Sequence, residues 1–559
     1  MVKSCSWPHR LVVRTPGFHP GNRGSIPLEA TTLYILDMSI LKILRFCLYL
    51  LIAVAVIKGL YHLVSQAWYF FEGAYAGDAQ YYWTVGRGML NGRELYSDIF
   101  DTKPPGIYLL SALSLWIFGN GTLGFWLNAL MVLVLPVLFC RAALRMAQSL
   151  PRSGRWWCVF LTGLFGIVLT LYSAFQAEAW QVEWYGSFFG VLYALNVASA
   201  PLKQRRWSEL ALGIFLFLAI GFKEPFFLSL LAVALLLLPT KRLLVQRFAL
   251  PIAGVAIAGV VAMLVFGYLD GYISLYLPSQ FGHHIGRSMP LWMRGMQLDL
   301  PVRYLAQFSV IFTVLIGALI VSTFIRSENL RRKLLIVIAL YMTYTAANLR
   351  GYPVANHFVV AAPVYTAFFL LFLKKEIDSW GKHPPYEFLT MTLLSIMTVL
   401  VLPMTDGMPV YAQKLAAGRE SDQISKEVAI RIDALLSACD IDQYFFVEEK
   451  PYMQFTQHSP ANFFVYTGPE SIVYHHPLLI EKQLQSFSTA KIVIAKGDAY
   501  EISKRLEEKT LSEMTFRYLA NNFIITPWKC AEGLQFPEGY SVLFRKDVNT
   551  MKPFLFEMK

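Results

Sequence analysis

Long apolar stretches alternate with short polar connections over the first 404 residues of the chain. Windows of about 20 apolar residues, the length that carries a helix across a bilayer, recur throughout this region. They lie at 44–64, 122–141, 156–175, 181–199, 208–222, 225–239, 248–268, 304–325, 334–348, 353–373 and 386–404. The apolar stretch at 107–118 is too short to cross upright, and we interpret it as a juxtamembrane or re-entrant helix. The pattern predicts about eleven transmembrane helices.

The chain after residue 404 has a different, mixed pattern. The periodicity of 424–438 predicts a helix, whereas 444–447 and 491–495 are short apolar runs typical of buried strands. Further helical patterns near 476–486 and 499–520 alternate with these runs. We therefore expect residues 405–559 to form a soluble α/β domain that follows a transmembrane domain over 38–404.

Composition agrees with a polytopic α-helical membrane protein. Hydrophobic residues make up 56% of the chain and charged residues only 15%, which excludes disordered, collagen-like and coiled-coil proteins. The net charge of +12 could suggest nucleic acid as a partner. In a membrane chain, positively charged cytoplasmic loops explain it better, so we expect a lipid bilayer and no nucleic acid.

The distribution of Lys and Arg sets the predicted orientation. With the N-terminus in the cytoplasm, the basic clusters near 141–155, 203–206, 241–247, 326–333 and 374–382 all fall on the cytoplasmic side. Counting 107–118 as a full crossing would move these clusters outside, so the positive-inside rule favours eleven spans. The loops 65–121 and 269–303 and the tail 405–559 are then extracytoplasmic.

The first 37 residues differ from the rest of the chain. They lack the charged start, apolar run and cleavage pattern of a signal peptide. The segment Gly24-Ser25-Ile26-Pro27 resembles a translated T-arm of a transfer RNA gene. We expect residues 1–37 to be a non-native or disordered leader, with translation starting near Met38. A gene beside a transfer RNA gene also favours a bacterium.

Polar side chains are densest in the first outer loop. Asp78 stands at or just before a predicted helix N-terminus, where the helix dipole favours a carboxylate, and Tyr81 and Tyr82 follow it. A simple N-cap role for Asp78 explains the position equally well. Asp98, Asp101 and Lys103 precede a Pro-Pro helix start, and an ordinary solvated turn is the alternative for these charges.

Further ionisable residues lie at the predicted outer rim of other spans. They are Glu178, Glu183, Lys223, Glu224, His283, His284, Arg287, Arg350 and His357. Charges near a bilayer are expensive, so each suggests a function, although any one of them could simply reach the headgroups. Cations there suit a lipid phosphate, and carboxylates suit a sugar or an acceptor hydroxyl.

The six cysteines include one candidate disulfide. Cys439 and Cys530 are the two cysteines of the tail, which would face an oxidising compartment if the outer side is a bacterial periplasm. Cys47, Cys140 and Cys158 lie in or beside predicted spans, where apolar packing is their expected role. No Cys/His spacing typical of a zinc site occurs in the sequence.

The first outer loop resembles a known family. Asp78 with Tyr81-Tyr82, then Gly92-Arg-Glu-Leu-Tyr96-Ser-Asp98 and Asp101-Thr-Lys103-Pro-Pro-Gly106, is similar to the GT-C glycosyltransferases. The resemblance is strongest to the bacterial branch of the dolichyl-phosphate-mannose protein mannosyltransferase family, to which the lipid A aminoarabinose transferases are related. It covers about 70–125 well and the remaining spans loosely.

The resemblance implies an inverting transferase that uses a polyprenyl-phosphate-linked sugar at the periplasmic face of the bacterial inner membrane. Asp78 would be the catalytic base or the carboxylate that positions the acceptor, and Lys103, with Arg350 and Lys223, would bind the donor phosphate. The substrate-binding candidates are Tyr81, Tyr82, Asp98, Asp101, Glu183, Glu224, His284 and His357. Many relatives carry Asp-Glu at the first site, whereas Ala79 follows Asp78 here. This departure weakens the role of a divalent metal ion that the resemblance would imply. It also leaves the acceptor open, which could be a glycan, a lipid or a protein.

Two other classes of protein fit a polytopic chain with rim charges. A transporter or flippase of lipid-linked sugars is one, although no inverted repeat is visible and the charges gather at one surface. A scaffold protein of envelope assembly, with the tail as its working part, is the other. A deep polar cavity beneath loop 65–121 would favour the enzyme over the scaffold.

Overall fold

The structure is a computed structural model, and it describes most of the chain. The described residues are 28–73, 78–174, 179–199, 206–281, 290–294, 296, 310–327, 329–349, 355–379, 395–402, 404, 407–447, 453, 455–463, 477–496, 521–524, 529–534 and 540–546. The chain divides into two compact units, Met1–Val54 and Ala55–Lys559. In the first unit, residues 28–54 form the beginning of a helix that continues to Phe71.

Helices occupy the predicted apolar windows wherever these are described. They are α1 (Leu28–Phe71), α2 (Ala79–Leu90), α3 (Pro105–Phe118), α4 (Thr122–Met146), α5 (Arg152–Ala174), α6 (Val182–Ser199), α7 (Arg206–Phe222), α8 (Phe226–Leu237), α9 (Lys241–Val265), α10 (Val310–Ile325), α11 (Leu330–Ala347) and α12 (His357–Ser379). Shorter helical turns lie over 269–281, at Leu291–Arg294 and over 395–401.

Within the described part of the chain, five helices are long and apolar enough to cross a membrane. They are Tyr49–Phe71 within α1, α4, Arg152–Tyr172 within α5, α9 and α12. Only 6% of the most apolar window of α9 is buried inside the protein, and side chains such as Leu250, Ile257 and Val265 are exposed. An apolar face of this length is stable against lipid and unfavourable in water. By contrast, 94% of the α12 window is buried, so α12 is a central helix.

Other apolar helices are shorter within the described residues. Pro105–Phe118, Glu209–Phe222, Phe226–Leu237 and Val310–Ile325 have between 10 and 17 residues. At 1.5 Å per residue, a helix of 12 residues spans about 18 Å, less than the ~30 Å hydrocarbon core. Pro225 stands at the start of α8. Because proline cannot continue the helix that ends at Phe222, α7 and α8 are two short helices and not one long one. The eleven crossings stay a prediction.

The tail contains a five-stranded sheet with helices beside it. The strands are β1 (Gln443–Val447), β2 (Ser459–Pro460), β3 (Ile492–Lys496), β4 (Phe523–Ile524) and β5 (Tyr540–Arg545), in the order β2-β1-β3-β5-β4. β1 is parallel to β2 and β3, whereas β5 is antiparallel to β3 and β4. The helices are α13 (Met408–Ala438) and α14 (Pro477–Thr489).

Most of the predicted elements of the tail are present. β1 and β3 match the two predicted strands within one residue, and α14 matches the third pattern. α13 begins 16 residues before the predicted helix, because Pro409 at its start sets the first turn. β2 and β4 have two residues each, which is too short to leave an alternation in the sequence. The predicted helix near 499–520 lies outside the described residues.

Cys439 and Cys530 are joined by a disulfide, with their Cα atoms 5.1 Å apart. It links the end of α13 to the 3₁₀ turn Lys529–Ala531, which are separated by 91 residues. Cys47, Cys140 and Cys158 are free thiols. The disulfide therefore ties the helical side of the tail to the segment before β5.

We expect thiol labelling to distinguish these groups. In the denatured, unreduced protein, alkylation should modify Cys47, Cys140 and Cys158 but not Cys439 or Cys530, and reduction should expose both. Closing so long a loop typically stabilises a fold by about 2–4 kcal/mol, so Cys439→Ser with Cys530→Ser should lower the melting temperature. Alkylation of Cys439 without reductant would contradict the assignment.

Candidate active site

Asp78 and Lys103 face each other at the start of α2 and the start of α3. The Lys103 Nζ atom is 3.9 Å from Asp78 Oδ2. The Lys103 side chain is 14% exposed and that of Asp78 is 36% exposed. Among the described residues, Lys103 Nζ makes no hydrogen bond, so its three N–H groups are uncommitted. The pair thus presents a carboxylate and an ammonium side by side, with an opening to solvent.

The side chain of Asp78 does not act as a helix cap. It stands at the N-cap position of α2, yet it makes no capping hydrogen bond with the described backbone of that helix. Instead, Asp78 Oδ2 accepts a hydrogen bond of 3.2 Å from the hydroxyl of Tyr82. Tyr82 is buried, which raises the pKa of its hydroxyl, and the nearby charge of Asp78 raises that pKa further. A neutral Tyr82 therefore orients the Asp78 carboxylate, and the capping alternative is wrong.

Two tyrosine hydroxyls fix the backbone of Lys103. Its N–H donates to Tyr108 Oη at 3.2 Å, and its carbonyl accepts from the hydroxyl of Tyr96 at 2.8 Å. Gln280 Nε2 also donates to the carbonyl of Thr102 at 3.3 Å. Because each of these partners is at least partly buried, the loop before α3 has little freedom to move Lys103 away from Asp78.

Asp101 completes this hydrogen-bond network. It is fully buried, and its carboxylate accepts from Tyr108 Oη at 2.8 Å and from the N–H of Thr102 at 2.6 Å. Burial raises the pKa of Asp101, while the charge of Lys103 and the two hydrogen bonds oppose that shift. Asp101 therefore holds the Tyr108 hydroxyl in place, and that hydroxyl in turn accepts a hydrogen bond from the N–H of Lys103.

Tyr96 is held in a strained backbone conformation. Its φ of 67° lies in the left-handed region, which costs a residue with a side chain about 1–2 kcal/mol. Its ring is fully buried, with its centroid 4.7 Å from that of Tyr276. The hydroxyl of Tyr276 donates to Glu224 at the turn between α7 and α8. The packing and hydrogen bonds of Tyr96 thus offset the backbone strain. They also connect Glu224 to Lys103 through Tyr276 and Tyr96.

Loop 91–100 is bound to the tail by Arg93. Its guanidinium donates to the carbonyls of Asp98 and Pro460, and to that of Asn462 at 3.0 Å. Burial lowers the pKa of Arg93 to about 10, so the side chain is still charged at neutral pH. Phe100 also donates its N–H to Phe463 at 2.6 Å and stacks on that ring, and Lys482 reaches the Ser97 carbonyl. Loop 91–100 and segment 459–463 are therefore one packed unit.

Lys223 lies in a second charged pair. Its Nζ forms an ion pair with Glu183, and both side chains are almost completely buried. The pair joins the end of α7 to the start of α6. Since the two charges balance each other inside the protein, the pair adds little net charge for binding a phosphate. Desolvation of such a pair is expensive, so its contribution is to hold the two helices in register.

The other predicted residues divide into those that the structure places and those that it does not. Asp98 is exposed and accepts from the N–H of Glu94 at 2.9 Å, which closes the turn over 94–98. Tyr81 is buried in α2, and His357 is buried at the start of α12. Glu178, His283, His284, Arg287 and Arg350 lie outside the described residues. No group of three or more potential metal ligands occurs within the described part of the chain.

Sequence reasoning missed the residues that position the site. Arg93 and Tyr96 stood in the quoted motif and Tyr108 follows it by two residues, but nothing in their spacing shows which groups they reach. Gly106 is a residue from which the sequence could have indicated close packing between two helices. A Cβ atom there would lie 2.5 Å from the carbonyl oxygen of Gly221, so α3 can approach the end of α7 only with glycine at this position.

We expect Tyr108→Phe to loosen the loop around Lys103. The change leaves Asp101 and the Lys103 N–H each short of one buried hydrogen-bond partner, at a cost of about 1–3 kcal/mol. Amide hydrogen exchange in a peptide spanning 97–104 should therefore become roughly ten-fold faster or more. The matched control is Tyr193→Phe, because the buried Tyr193 hydroxyl donates to Arg247 at 3.0 Å elsewhere. Equal exchange in the wild type and both variants would refute this description.

We expect Arg93→Ala to separate loop 91–100 from segment 459–463. Each lost hydrogen bond to a charged donor is worth about 1.5–3 kcal/mol, so limited chymotrypsin cleavage after Phe100 and Phe463 should accelerate markedly. Arg93→Lys keeps the charge but lacks the planar guanidinium that bonds several carbonyls at once. Its cleavage rate should therefore lie between those of the wild type and Arg93→Ala. Arg419→Ala removes an exposed ion pair with Glu72 and serves as the control. Unchanged cleavage in Arg93→Ala would show that other contacts hold the two segments together.

Comparison with known proteins adds no family assignment to this geometry. No family model, no curated protein and no solved structure matches the chain. The chemistry of the site therefore has to be argued from its own residues, chiefly the facing charges of Asp78 and Lys103 and the tyrosines that hold them.

Proposed function

We propose that this chain is an inverting membrane glycosyltransferase that moves a sugar from a polyprenyl-phosphate donor to an acceptor hydroxyl. The observation that supports this most is the 3.9 Å approach of Asp78 and Lys103, with Lys103 Nζ uncommitted to any described acceptor. A base and a cation this close together suit a reaction in which a hydroxyl loses its proton and a phosphate departs.

In this proposal Asp78 is the general base. Its carboxylate takes the proton of the acceptor hydroxyl as the oxygen attacks the anomeric carbon of the donor sugar. The new C–O bond forms as the bond from that carbon to the phosphate oxygen breaks, so the configuration inverts. The electron pair of the broken bond leaves with the polyprenyl phosphate. The hydrogen bond from Tyr82 fixes the rotamer of Asp78 and leaves Oδ1 available for the proton.

Lys103 is the group that receives the departing phosphate. Phosphate is already a good leaving group, so stabilisation of its charge by an ammonium replaces protonation by an acid. The tyrosine clamp on the Lys103 backbone supports this role, because a preorganised cation costs no reorganisation during the reaction. The balanced Lys223–Glu183 pair fits a supporting position better than direct phosphate contact.

The proposal includes an architecture and a location. The chain would cross the membrane eleven times in a GT-C-like arrangement, with α3 lying at the membrane surface. Loop 65–121 and the tail 405–559, as an α/β domain, would face the periplasm of a bacterial inner membrane. The hydrogen bonds between loop 91–100 and segment 459–463 support a common side for the loop and the tail.

The test is release of lipid phosphate from polyprenyl-phosphate sugars by the purified full-length protein. Asp78→Asn removes the base without changing shape, and turnover should fall by about 10²–10⁴-fold. Lys103→Met removes the cation, so both donor affinity and turnover should fall. Asp270→Asn and Lys529→Met neutralise exposed charges outside the site and should behave like the wild type.

Near-normal turnover in Asp78→Asn would show that another group is the base. Unchanged donor kinetics in Lys103→Met would reject its role at the phosphate. If the folded wild-type protein releases no phosphate from any of the lipid donors, the transferase proposal itself is wrong.

A further inference from the structure

A separate cavity of about 810 Å³ lies on the other side of α2. It opens between the end of α1, the turn from α3 to α4, and α13 of the tail, and neither Asp78 nor Lys103 lines it. Its volume is in the range of sites that bind small molecules. On α2, the helical repeat places Gln80, Trp83 and Arg87 on this cavity and Tyr82 on the opposite face, toward Asp78.

The wall that α2 contributes contains N–H donors without acceptors. Arg87 Nε is buried, and among the described residues the guanidinium makes no hydrogen bond and no ion pair. One turn earlier, the buried indole Nε1 of Trp83 also has no described acceptor. Burial lowers the pKa of Arg87, and the charge of Asp433 opposes that shift. Arg87 as a whole is half-buried, and a guanidinium that is partly removed from water without a hydrogen-bond acceptor is unfavourable, so this wall is suited to receive an anion.

A structural role at the end of α2 does not account for this arrangement. Arg87 lies in the last turn of α2, where a cation interacts favourably with the helix dipole. An exposed arginine would provide the same interaction without burying Nε. The position of the guanidinium at the cavity wall therefore needs a further explanation.

The other charges in the lining of the cavity are paired with one another and not with Arg87. Arg419 and Glu72 form an ion pair of 2.7 Å at the rim and neutralise each other. Lys426 lies over the ring of Phe455 at 5.2 Å and is attracted to Asp422 in the same wall. With these two pairs balanced, Arg87 is the remaining charge in the described lining.

The rest of the lining matches the surface of a sugar. Four aromatic rings line the cavity, from Phe71, Trp83, Phe125 and Phe455. Ring faces pack against the C–H groups of a pyranose, while side-chain amides, here Gln80, Asn120 and Gln457, bind its hydroxyls. An apolar ligand would leave these amides unpaired, and a bare inorganic anion would leave the rings unused.

We propose that this cavity binds an anionic saccharide, with Arg87 receiving the carboxylate or phosphate group of the sugar. The site is distinct from the Asp78–Lys103 pair, and its existence does not depend on the transferase activity. Because α2 forms one wall of each site, a saccharide bound here contacts the same helix that carries Tyr82.

The test measures binding of defined sugars and of inorganic phosphate to the purified full-length protein by isothermal titration calorimetry. Glucuronic acid, glucose 6-phosphate, glucose and inorganic phosphate are the probes at neutral pH. We expect the carboxylate sugar, the phosphate sugar or both to bind at least ten-fold more tightly than glucose and than inorganic phosphate. The comparison between the first two shows which anionic group Arg87 receives.

Variants assign the binding to this cavity. Arg87→Met keeps the length of the side chain without its charge and should abolish the preference over glucose, without loss of thermal stability. Ser421→Trp fills the cavity from α13 and should weaken every sugar. Lys414→Met removes an exposed charge of α13 outside the cavity and should bind like the wild type.

Two results would overturn the inference. One is an equal affinity for glucose and both anionic sugars, or a preference that survives Arg87→Met. The other is inorganic phosphate binding as tightly as glucose 6-phosphate, which would show an anion site without saccharide recognition. Neither result bears on the lipid-phosphate release that tests the transferase.

Discussion

The candidate active site depends on two hydrogen bonds between tyrosine hydroxyls and the backbone of Lys103. The Tyr108 hydroxyl accepts a hydrogen bond from the N–H of Lys103, and the Tyr96 hydroxyl donates one to its carbonyl. These two bonds hold the loop in place and so keep the Lys103 side chain near Asp78. Tyr108 is itself fixed by the buried Asp101, and Tyr96 keeps a left-handed backbone that only tight packing can maintain. Backbone strain of this kind persists where the surrounding structure compensates for it, and such places are frequently functional.

The same loop joins two parts of the protein that differ in composition. On one side, α3 packs closely against the end of α7 through Gly106. On the other side, Arg93 and Phe100 hold loop 91–100 against segment 459–463, which contains β2 of the sheet. The distance between Asp78 and Lys103 is therefore set jointly by the apolar helices and by the tail. Changes in the tail that reach Arg93 should be felt at the charged pair.

The apolar periodicity predicted the helices well, because burial in lipid or in the bundle needs long runs of apolar residues whatever their partners. It also placed Asp78 before α2 and Lys103 before α3. It could not predict that the Asp78 side chain would accept a hydrogen bond from Tyr82 instead of capping α2, because the same sequence allows both. Partners distant in sequence, such as Arg93 with Asn462 or Tyr276 with Glu224, leave no local pattern. The short helices, such as α8, also show that an apolar run alone does not determine a crossing.

The most direct measurement is a double-mutant cycle between positions 78 and 103, with kcat/KM for release of polyprenyl phosphate as the readout. Asp78→Asn, Lys103→Met and the double variant are compared with the wild type under the same donor conditions. If the two charges act together on one reacting sugar phosphate, the loss in the double variant is much smaller than the product of the two single losses. Losses that simply multiply would show that the two residues act independently, and would contradict a shared reaction centre.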